Sequence, residues 1–393
     1  MASYDGTNKS SAGGAQHLPY WEIKTEYTKN LYNEAMGMAS QEAVEFCNPD
    51  GYNGPDIEVD ASTLTSDQWQ ARRANHLGGS DISAIFGENH FKTNLDLYYA
   101  KTGKQPLVPE EETAQSRLNK IWGHISEEYV DAWLSERYPY NDIITDTNIY
   151  AMPGKPYITA NIDRMMRKPD GSYCLVEIKT TSTFNRSEWE NGNIPIPYIY
   201  QVRTYMAILG VWECVVVCMF DRDTLIANTI KRDLDEEMRI IQGCDEFWMN
   251  HVIPHIPPEP IGAPEATLKT IHKYAGDADK KAPSVALGAD FAELCEKYSE
   301  KKAQRDAAKR TFDKLDEECK DMIVPFAAAM GKSVLAETVG TDGTRWLLKY
   351  SPRMSRASVD MQKLEALYPK AYKDCFIPQK ESSRVFTLKA AKS

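Results

Sequence analysis

Apolar and polar residues follow two different periods along the chain, one typical of helices and the other of strands. Residues 113–137, 198–209 and 233–250 are each predicted to form a helix, and the first of these segments carries apolar positions at helical spacing. Residues 211–220 are almost continuously apolar, as expected for a strand that is covered on both faces. Together with the β-rich residues 157–181, these segments predict an α/β fold in which helices flank a mixed sheet.

The predicted helix Thr113–Arg137 carries a stripe of apolar side chains that is expected to face the core. The members of this stripe are Ile121, Ile125, Tyr129, Val130 and Trp133. Two adjacent acids on the helix, Glu127 and Glu128, are alternative candidates for a carboxylate that reaches the sheet. His124 precedes Glu127 by one helical turn and is interpreted as a polar helix residue.

Residues 157–181 are predicted to form a β-hairpin, because two β-rich runs flank a Pro-Asp-Gly turn. With Pro169–Gly171 as the loop, Lys168 faces Ser172 and the register of both strands follows. Asp170 lies in this turn and points away from the strand face, so we exclude it from the candidate site.

This register places Asp163 directly opposite Glu177, at a side-chain distance of roughly 5 Å. Lys179 lies two residues beyond Glu177 and therefore shares its face of the strand. Two facing carboxylates repel each other, so the pair calls for a cation, and their hard oxygen ligands favour Mg²⁺ or Mn²⁺. The alternative interpretation is a solvated hairpin face that carries alternating charge.

A candidate phosphate site follows the predicted helix that contains Trp69, Arg72 and Arg73. Ser80, after the Gly78-Gly79 turn, is predicted to cap the next short helix, whose free N–H groups suit a phosphate. Arg72 or Arg73 is expected to contact the same phosphate with two hydrogen bonds. Ordinary helix capping with surface arginines is the alternative.

Beyond the central segments, residues 254–264 are rich in proline, which predicts a stiff linker. A long amphipathic helix is predicted from Ala289 to about Met330, with a heptad-like apolar spacing that Lys301 and Arg305 interrupt. This helix is expected to pack on a partner helix or on another chain. Further predicted elements are a helix over Glu22–Glu45, a hairpin over Val334–Tyr350, a helix over Asp360–Cys375 and a strand over Arg384–Leu388.

The composition excludes several classes of protein. The 393 residues are 42% hydrophobic and 26% charged, which is ordinary for a globular protein. The net charge of −11 argues against a protein that coats nucleic acid, although it permits a local basic groove. No apolar run is long enough for a membrane span, and the N-terminus lacks the pattern of a signal peptide. The eight cysteines form no Cys-x-x-Cys pair, which fits a reducing cytoplasm.

Asp163 followed by Glu177-Ile178-Lys179 resembles the PD-(D/E)XK nuclease superfamily, with Ile162 in place of the usual proline. Further motifs between residues 65 and 250 make the resemblance more specific, because they are similar to those of the YqaJ-type viral recombinases, relatives of phage lambda exonuclease. These motifs are Trp69…Arg73…Leu77-Gly78-Gly79-Ser80-Asp81, Trp122-Gly123 with Glu127, Asn161-Ile162-Asp163, Glu177-Ile178-Lys179-Thr180-Thr181, and Tyr200-Gln201-Val202 with Tyr205-Met206 and Gly210.

The resemblance implies a restriction-endonuclease-like core and a defined set of site residues. The implied catalytic residues are Glu127, Asp163, Glu177, Lys179 and Gln201. The implied ligands of one or two Mg²⁺ or Mn²⁺ ions are Glu127, Asp163, Glu177 and the backbone carbonyl of Ile178. Lys179 would position a water or neutralise charge, Gln201 would orient Lys179 or the water, and Arg73 with Ser80 would bind a terminal 5′ phosphate.

The resemblance also implies an activity and partners. The activity is a metal-dependent 5′-to-3′ exonuclease that degrades one strand of linear double-stranded DNA and leaves 3′ single-stranded overhangs for phage-type recombination. The implied partners are double-stranded DNA ends, a single-strand annealing protein and further copies of the chain, with no membrane. The expected location is the cytoplasm of a phage-infected or prophage-bearing bacterium.

We expect four regions in the chain: a partly disordered N-terminal extension (1–60), the nuclease domain (61–253), a Pro-rich linker (254–288) and an accessory region with the long helix and a small α+β part (289–393). Two other functions are considered. One is a non-catalytic DNA-binding or scaffolding protein on a decayed nuclease fold. The other is a nuclease with an Fe–S cluster, similar to some CRISPR-adaptation proteins, which would need a set of coordinating cysteines.

Overall fold

The computed structural model describes residues 20–108, 112–221, 224–352 and 359–376. The chain divides into two compact units, Met1–Gly276 and Asp277–Ser393. No helix among the described residues has a stretch long and apolar enough to cross a membrane.

The first unit contains nine helices among its described residues, and most of them begin at a side chain that caps the first turn. They are α1 (Glu26–Met38), α2 (Gln41–Cys47), α3 (Ser66–Ala74), α4 (Gly79–Ile85), α5 (Asn94–Lys101), α6 (Ala114–Arg137), α7 (Ile196–Leu209), α8 (Leu234–Phe247) and α9 (Pro264–Ala275). Short 3₁₀ segments lie at Ala61–Thr63, Thr183–Glu188 and Glu190–Gly192, and a π-helical turn, Trp248–Val252, continues α8.

The strands of the first unit form two sheets. They are β1 (Asp56–Asp60), β2 (Leu77–Gly78), β3 (Asp142–Ile144), β4 (Asn148–Met152), β5 (Lys155–Asn161), β6 (Arg164–Arg167), β7 (Tyr173–Thr180), β8 (Glu213–Asp221) and β9 (Thr224–Lys231). The central sheet has the order β3-β6-β7-β8-β9, and the second sheet has the order β1-β4-β5-β2. Because β7 and β8 are parallel while the other pairs of the central sheet are antiparallel, the predicted mixed sheet flanked by helices is confirmed.

The hairpin register predicted from the turn is confirmed. In β6 and β7, Arg164 pairs with Val176 and Arg167 pairs with Tyr173. The turn closes as expected, since the N–H of Lys168 donates to the carbonyl of Ser172 at 2.8 Å. Asp170 accepts hydrogen bonds from the backbone N–H and the hydroxyl of Ser172, which holds its carboxylate within the turn.

Strand β7 is buried on both of its faces, and successive side chains contact different helices. Val176 and Ile178 pack with Val130 and Leu134 of α6 in one apolar cluster. Leu175 belongs instead to the larger cluster that includes most of α7. Since residues of a strand alternate between its faces, the side chains of Glu177 and Lys179 lie on the same face as Leu175.

The predicted buried face of the helix Thr113–Arg137 is wrong for three of its five members. Ile121, Ile125 and Tyr129 are exposed by 52%, 61% and 43%, respectively. The buried positions are Ser126, Val130 and Leu134, which lie four residues apart and form a narrower stripe. Only the second half of α6 packs against the sheet. The apolar side chains that lie before it have no surface of the sheet to cover them and remain exposed.

The segment before residue 60 belongs to the first unit, and the single helix predicted over Glu22–Glu45 is two helices. Ser40 ends the continuity, because it adopts an extended conformation and its hydroxyl caps α2. Leu31 and Ala35 of α1 pack against Trp212, and β1 adds to the edge of the second sheet. Residues 1–19 lie outside the described part of the chain.

The boundary between the units lies later in the chain than the sequence suggests, because part of the expected linker 254–288 is ordered structure. Residues 264–275 form α9, whose Thr270 is buried and lies 3.1 Å from the hydroxyl of Thr93. Asn94 donates to the carbonyl of Glu259 at 2.8 Å and accepts from Ile261 at 3.1 Å. These contacts anchor the proline-rich segment to the start of α5.

The second unit consists of α10 (Asp290–Met330), the hairpin of β10 (Leu335–Val339) and β11 (Arg345–Lys349), and the short helices α11 (Met361–Leu367) and α12 (Pro369–Cys375). The predicted long helix and second hairpin are confirmed. The helix predicted over Asp360–Cys375 is two helices, because it breaks at Tyr368 before Pro369. The strand predicted over Arg384–Leu388 lies outside the described residues.

These contacts predict different outcomes for two truncations. A chain that ends at Gly276 is expected to retain the thermal stability of the first unit. A chain that ends at Pro260 loses α9 with its buried Thr270 and Tyr274, so its free energy of unfolding is expected to fall by about 2–5 kcal/mol. Thermal unfolding followed by circular dichroism compares the two, and equal stabilities would contradict the assignment of α9 to this unit.

Candidate active site

The candidate site is built on the hairpin β6–β7, where Asp163 and Glu177 come together. Asp163 precedes β6, and its Oδ2 accepts a hydrogen bond of 2.8 Å from the backbone N–H of Ile178. This bond fixes the Asp163 carboxylate against β7, beside the residue that follows Glu177. The two carboxylates are close enough for the charge of Asp163 to raise the pKa of Glu177.

Glu177 is 1% exposed, and its two carboxylate oxygens have different environments. Oε1 accepts hydrogen bonds from Lys179 Nζ at 2.5 Å and from Gln201 Nε2 at 2.6 Å. Oε2 is buried and has no hydrogen-bond partner. A buried carboxylate oxygen without a partner is costly unless a cation or a donor faces it, so this atom marks a place for a ligand.

The ionisation of these groups is coupled. Burial, together with the nearby Asp163 carboxylate, raises the pKa of Glu177 to about 7. Burial also raises the pKa of Asp163 above its ordinary value, against the opposing effect of Lys179. Burial disfavours the charge on Lys179, but the Glu177 and Asp163 carboxylates outweigh it and raise the pKa of Lys179. Lys179 is therefore protonated at neutral pH. Its single positive charge is not enough to balance the carboxylates of the cluster.

Helix α7 supplies Gln201 and Tyr205 to the same cluster. Gln201 Nε2 donates to Glu177 and also to the hydroxyl of Tyr205 at 3.2 Å. Gly79 of α4 lies against these two side chains, because a Cβ atom at this position would collide with the Tyr205 ring and with Cγ of Gln201. The absence of a side chain at Gly79 thus allows α4 to approach α7 closely at the site.

Helix α6 brings Glu127, and not Glu128, toward the cluster. Arg164 Nη1 donates to Glu127 Oε2 at 3.1 Å and to the backbone carbonyl of Asp163 at 2.7 Å. The Nε of the same guanidinium donates to both carboxylate oxygens of Asp131, one helical turn after Glu127. The charge of Glu127 contributes to the raised pKa values of Asp163 and Glu177, whereas Glu128 is exposed. Of the two acids left open by the sequence, Glu127 is thus the one whose side chain lies toward the cluster.

The donor set fits a divalent cation, although the side chains do not form a ready coordination shell. Among the described residues, no three His, Cys, Asp or Glu side chains converge as a complete metal site. The partnerless Oε2 of Glu177, the facing Asp163 and the nearby Glu127 are nevertheless hard oxygen donors in a cluster with excess acid. Such a set suits Mg²⁺ or Mn²⁺ rather than a thiolate-bound metal.

Arg73 and Ser80 line a cavity next to the acid cluster. Arg73 Nη2 donates to Ser80 Oγ at 3.2 Å, and the guanidinium lies over the ring of Trp69. Asn161 and Tyr205 also line this cavity. Gln201 donates hydrogen bonds to both Tyr205 and Glu177. Its side chain therefore links the wall of the cavity to the buried carboxylate.

One detail of the predicted phosphate site is wrong. Ser80 does not cap α4; Gly78 is the N-cap, and its N–H donates to the side chain of Asp81 at 3.3 Å. The Ser80 hydroxyl is instead oriented by Arg73. Arg72, the alternative arginine, lines the same cavity but forms an ion pair with Glu58 of β1.

Sequence reasoning assigned no role to Arg164 or Tyr198, and it named Tyr205 only as part of a motif. Arg164 joins the elements that carry Glu127 and Asp163, and the Lys179 ammonium lies 5.1 Å from the centre of the Tyr198 ring. The position of Arg164 directly after Asp163 was a usable signal, since an arginine on a buried strand needs acidic partners. Tyr205 lies one helical turn after Gln201, which places both side chains on one face of α7.

Comparison with known proteins adds an independent observation. Residues 68–211 match the family of YqaJ-like viral recombinase domains, which confirms the predicted resemblance for this segment. The uncharacterized protein YqaJ of Bacillus subtilis (strain 168) is 28% identical over 289 residues, which covers 71% of this chain and 87% of the relative. The matched segment, 68–211, contains every candidate site residue from Arg73 to Gln201.

Solved structures of an alkaline exonuclease from Laribacter hongkongensis are also similar to this chain. The exonuclease, LHK-Exo, is 20% identical, covers 49% of this chain and 94% of its own, and gives a TM-score of 0.40. Its complex with dAMP is 21% identical, with the same coverage and a TM-score of 0.39.

The close approach at Gly79 predicts that alanine substitution at two neighbouring glycines has different effects on stability. Gly79→Ala is expected to lower the free energy of unfolding by about 1–3 kcal/mol, because the added methyl displaces Tyr205 and Gln201. Gly78→Ala is the matched control, since no atom lies within 4 Å of a Cβ at that position. Chemical denaturation of both variants measures the difference, and equal stabilities would argue against the tight packing of α4 on α7.

Proposed function

We propose that this chain, whose residues 68–211 match the family of YqaJ-like viral recombinase domains, is a metal-dependent deoxyribonuclease that acts on the ends of linear duplex DNA. The observation that carries the proposal is the buried carboxylate of Glu177, whose Oε1 is held by Lys179 and Gln201 while its Oε2 has no partner. Hydrolysis of a phosphodiester needs a place for a cation, a fixed positive charge and a bound strand. The acid cluster offers the first two through Glu177 and Lys179, and the neighbouring cavity of Arg73 and Ser80 offers groups that can bind a strand.

Glu127, Asp163 and Glu177 are the residues that would hold one or two Mg²⁺ or Mn²⁺ ions. The backbone carbonyl of Ile178 is a further oxygen ligand that the family resemblance implies. A divalent cation bound there would lower the pKa of a water and stabilise negative charge on the scissile phosphate. The neighbouring Arg164 positions this set, because one guanidinium holds Glu127 and the backbone of Asp163 together.

Lys179 supplies positive charge rather than acting as a base. Its raised pKa keeps the ammonium charged, so it can stabilise the charge that develops on the phosphate as the bond breaks. Gln201 orients the Glu177 carboxylate by donating to Oε1, and Tyr205 accepts the second hydrogen bond of the amide. This differs from the role that the sequence suggests for Gln201, which was to orient Lys179 or the water.

The cavity of Arg73 and Ser80 gives the proposed reaction its polarity. A permanently charged guanidinium and a hydroxyl within hydrogen-bond distance of each other are suited to a terminal phosphate. A phosphorylated 5′ end bound there would place the next bonds of the same strand beside the acid cluster. Repeated cleavage from this end leaves 3′ single-stranded overhangs, and such a product needs a single-strand annealing protein as a downstream partner.

The main prediction concerns the acid cluster. Asp163→Ala, Glu177→Ala and Lys179→Ala are each expected to lower cleavage of end-labelled linear duplex by more than about a hundredfold, since each removes a group that acts directly on the cation or the phosphate. Chelation by EDTA is expected to abolish cleavage by the unmodified protein. Circular dichroism checks that each variant is folded.

Asp170→Ala is the matched control, because Asp170 is an acid of the same hairpin whose carboxylate is held within the turn by Ser172. Its activity is expected to stay within about twofold of the unmodified protein. Loss of activity in Asp170→Ala but not in Asp163→Ala would refute the assignment. Duplex binding without any cleavage in Mg²⁺ or Mn²⁺ would instead favour the scaffolding alternative. For the Fe–S alternative, no group of coordinating cysteines converges among the described residues.

The next prediction concerns strand polarity. The unmodified protein is expected to degrade 5′-phosphorylated duplex faster than 5′-hydroxyl duplex, and Arg73→Ala is expected to bring the ratio of the two rates close to one. Arg167→Ala is the control, because this exposed arginine is paired with Asp142 away from the cavity. Equal rates on both ends in the unmodified protein would refute the phosphate site and leave the nuclease assignment standing.

A further inference from the structure

The helix α10 carries a regular heptad spacing over its whole length. Counting from Phe291, the core positions are reached by alternating steps of three and four residues. The a positions are Phe291, Tyr298, Arg305, Phe312, Cys319 and Phe326, and the d positions are Leu294, Lys301, Ala308, Leu315, Met322 and Ala329. We call these twelve positions the seam of α10.

Nothing described in the second unit covers this seam. No residue of α10 is buried, and Phe312, Leu315 and Met322 are exposed by 67%, 54% and 65%. The helix has 41 residues and is about 60 Å long. The other described elements of the unit have five or seven residues each, which is too short to cover such a length. A largely apolar stripe of this size marks a surface for association.

We propose that α10 forms an antiparallel two-stranded coiled coil with α10 of a second copy of this chain. The two helices are centred on Arg310, so that each a residue faces a d residue of the second copy. The facing pairs are Phe291 with Ala329, Leu294 with Phe326, Tyr298 with Met322, Lys301 with Cys319, Arg305 with Leu315 and Ala308 with Phe312. All twelve seam positions are used in this register.

The charge of the helix supports this orientation. Residues 297–310 contain six Lys or Arg and two Asp or Glu, whereas residues 311–323 contain two Lys or Arg and five Asp or Glu. Antiparallel pairing about Arg310 sets the basic segment of each copy against the acidic segment of the other. Beside the seam, Lys302 faces Asp316 of the second copy, and this pair occurs twice by symmetry. Flanking charges of this kind set partner choice and orientation in coiled coils.

A parallel dimer would instead bring like charges together. It would place Lys301 against Lys301 and Arg305 against Arg305 within the seam, and Lys297 beside Lys302 at its edge. In the antiparallel register, Arg305 lies instead against Leu315 and beside Asp316. The two basic residues that interrupt the apolar pattern therefore select the antiparallel arrangement, since like charges buried together are destabilising.

Side-chain volume also fits the antiparallel register. Two phenylalanines, Phe291 and Phe312, each face an alanine, so a large side chain meets a small one at the ends and near the centre. Complementary sizes of this kind fill a seam without overlap. The occupant is therefore a second copy, because the complement of each half of α10, in charge and in volume, is its own other half.

Charge reversal in the full-length chain tests the register. Lys302→Asp and Asp316→Lys are each expected to weaken self-association roughly tenfold, and the double variant is expected to restore it. Lys314→Asp is the matched control: Lys302 and Lys314 each lie 3.7 Å from an acid one turn later, but Lys314 is on the outer face. Sedimentation equilibrium measures the dissociation constants. Stronger association of Lys302→Asp would refute the proposal, because in a parallel dimer the introduced carboxylate would face Lys297.

Cross-linking reports on α10 even if the first unit also associates. Thr311→Cys is expected to cross-link to itself across the centre of the seam under mild oxidation, whereas Ala307→Cys on the outer face is expected not to do so. The native Cys319 thiols would lie about 27 Å apart in this register. Formation of a Cys319–Cys319 disulfide dimer would refute the antiparallel arrangement.

The apolar part of the seam has its own test. Phe312→Glu with Leu315→Glu is expected to abolish the Thr311→Cys cross-link while leaving the helical circular dichroism of the chain unchanged, because both side chains are exposed within the unit. Persistence of the cross-link, or a monomeric unmodified chain at micromolar concentration, would overturn the proposal. The outcome does not depend on the proposed nuclease activity, which is measured separately on linear duplex.

Discussion

The structure depends on the burial of one carboxylate. Glu177 is buried within the fold, where an isolated charge is strongly unfavourable, and the groups that stabilise it come from its own strand and from a distant helix. Lys179 supplies the opposite charge from the same strand, and Gln201 supplies a donor from α7. The packing of α7 on the strand, and the close approach of α4 to α7 at Gly79, hold Gln201 beside this carboxylate.

A second buried charge organises the other side of the site. Arg164 is 7% exposed and contacts Glu127, Asp131 and the backbone of Asp163, so it joins α6 to the hairpin. The two charges have complementary effects. Arg164 gathers acids that are separated by more than thirty residues in sequence, and Lys179 only partly neutralises the group that results. The excess of acid near a partnerless carboxylate oxygen is the physical basis for the proposed cation and, through it, for the proposed chemistry on phosphate.

The second unit differs, because its long helix has an apolar face that its own unit leaves exposed. The helix α10 has the heptad spacing of a coiled coil, but its apolar side chains are exposed within its own unit. Its basic and acidic halves match each other only when two copies run in opposite directions. The proposed nuclease site and the proposed dimer therefore lie in separate units and rely on separate interactions, one on buried charge and the other on apolar burial guided by surface charge.

The sequence by itself determined the elements and the hairpin register, because both depend on local signals. The Pro-Asp-Gly turn sets the pairing of β6 with β7, and the pattern of apolar residues locates α6, α7, β8 and α10. Only the tertiary structure decided which acid of α6 approaches the site, that Ile121 and Ile125 stay exposed, and that α9 belongs to the first unit. These outcomes depend on how far α6 extends past the sheet and on contacts between distant residues, such as Arg164 with Glu127 and Thr270 with Thr93. A local pattern can show that a residue such as Arg164, on a buried strand, needs an acidic partner, but it does not show which distant residue that partner is.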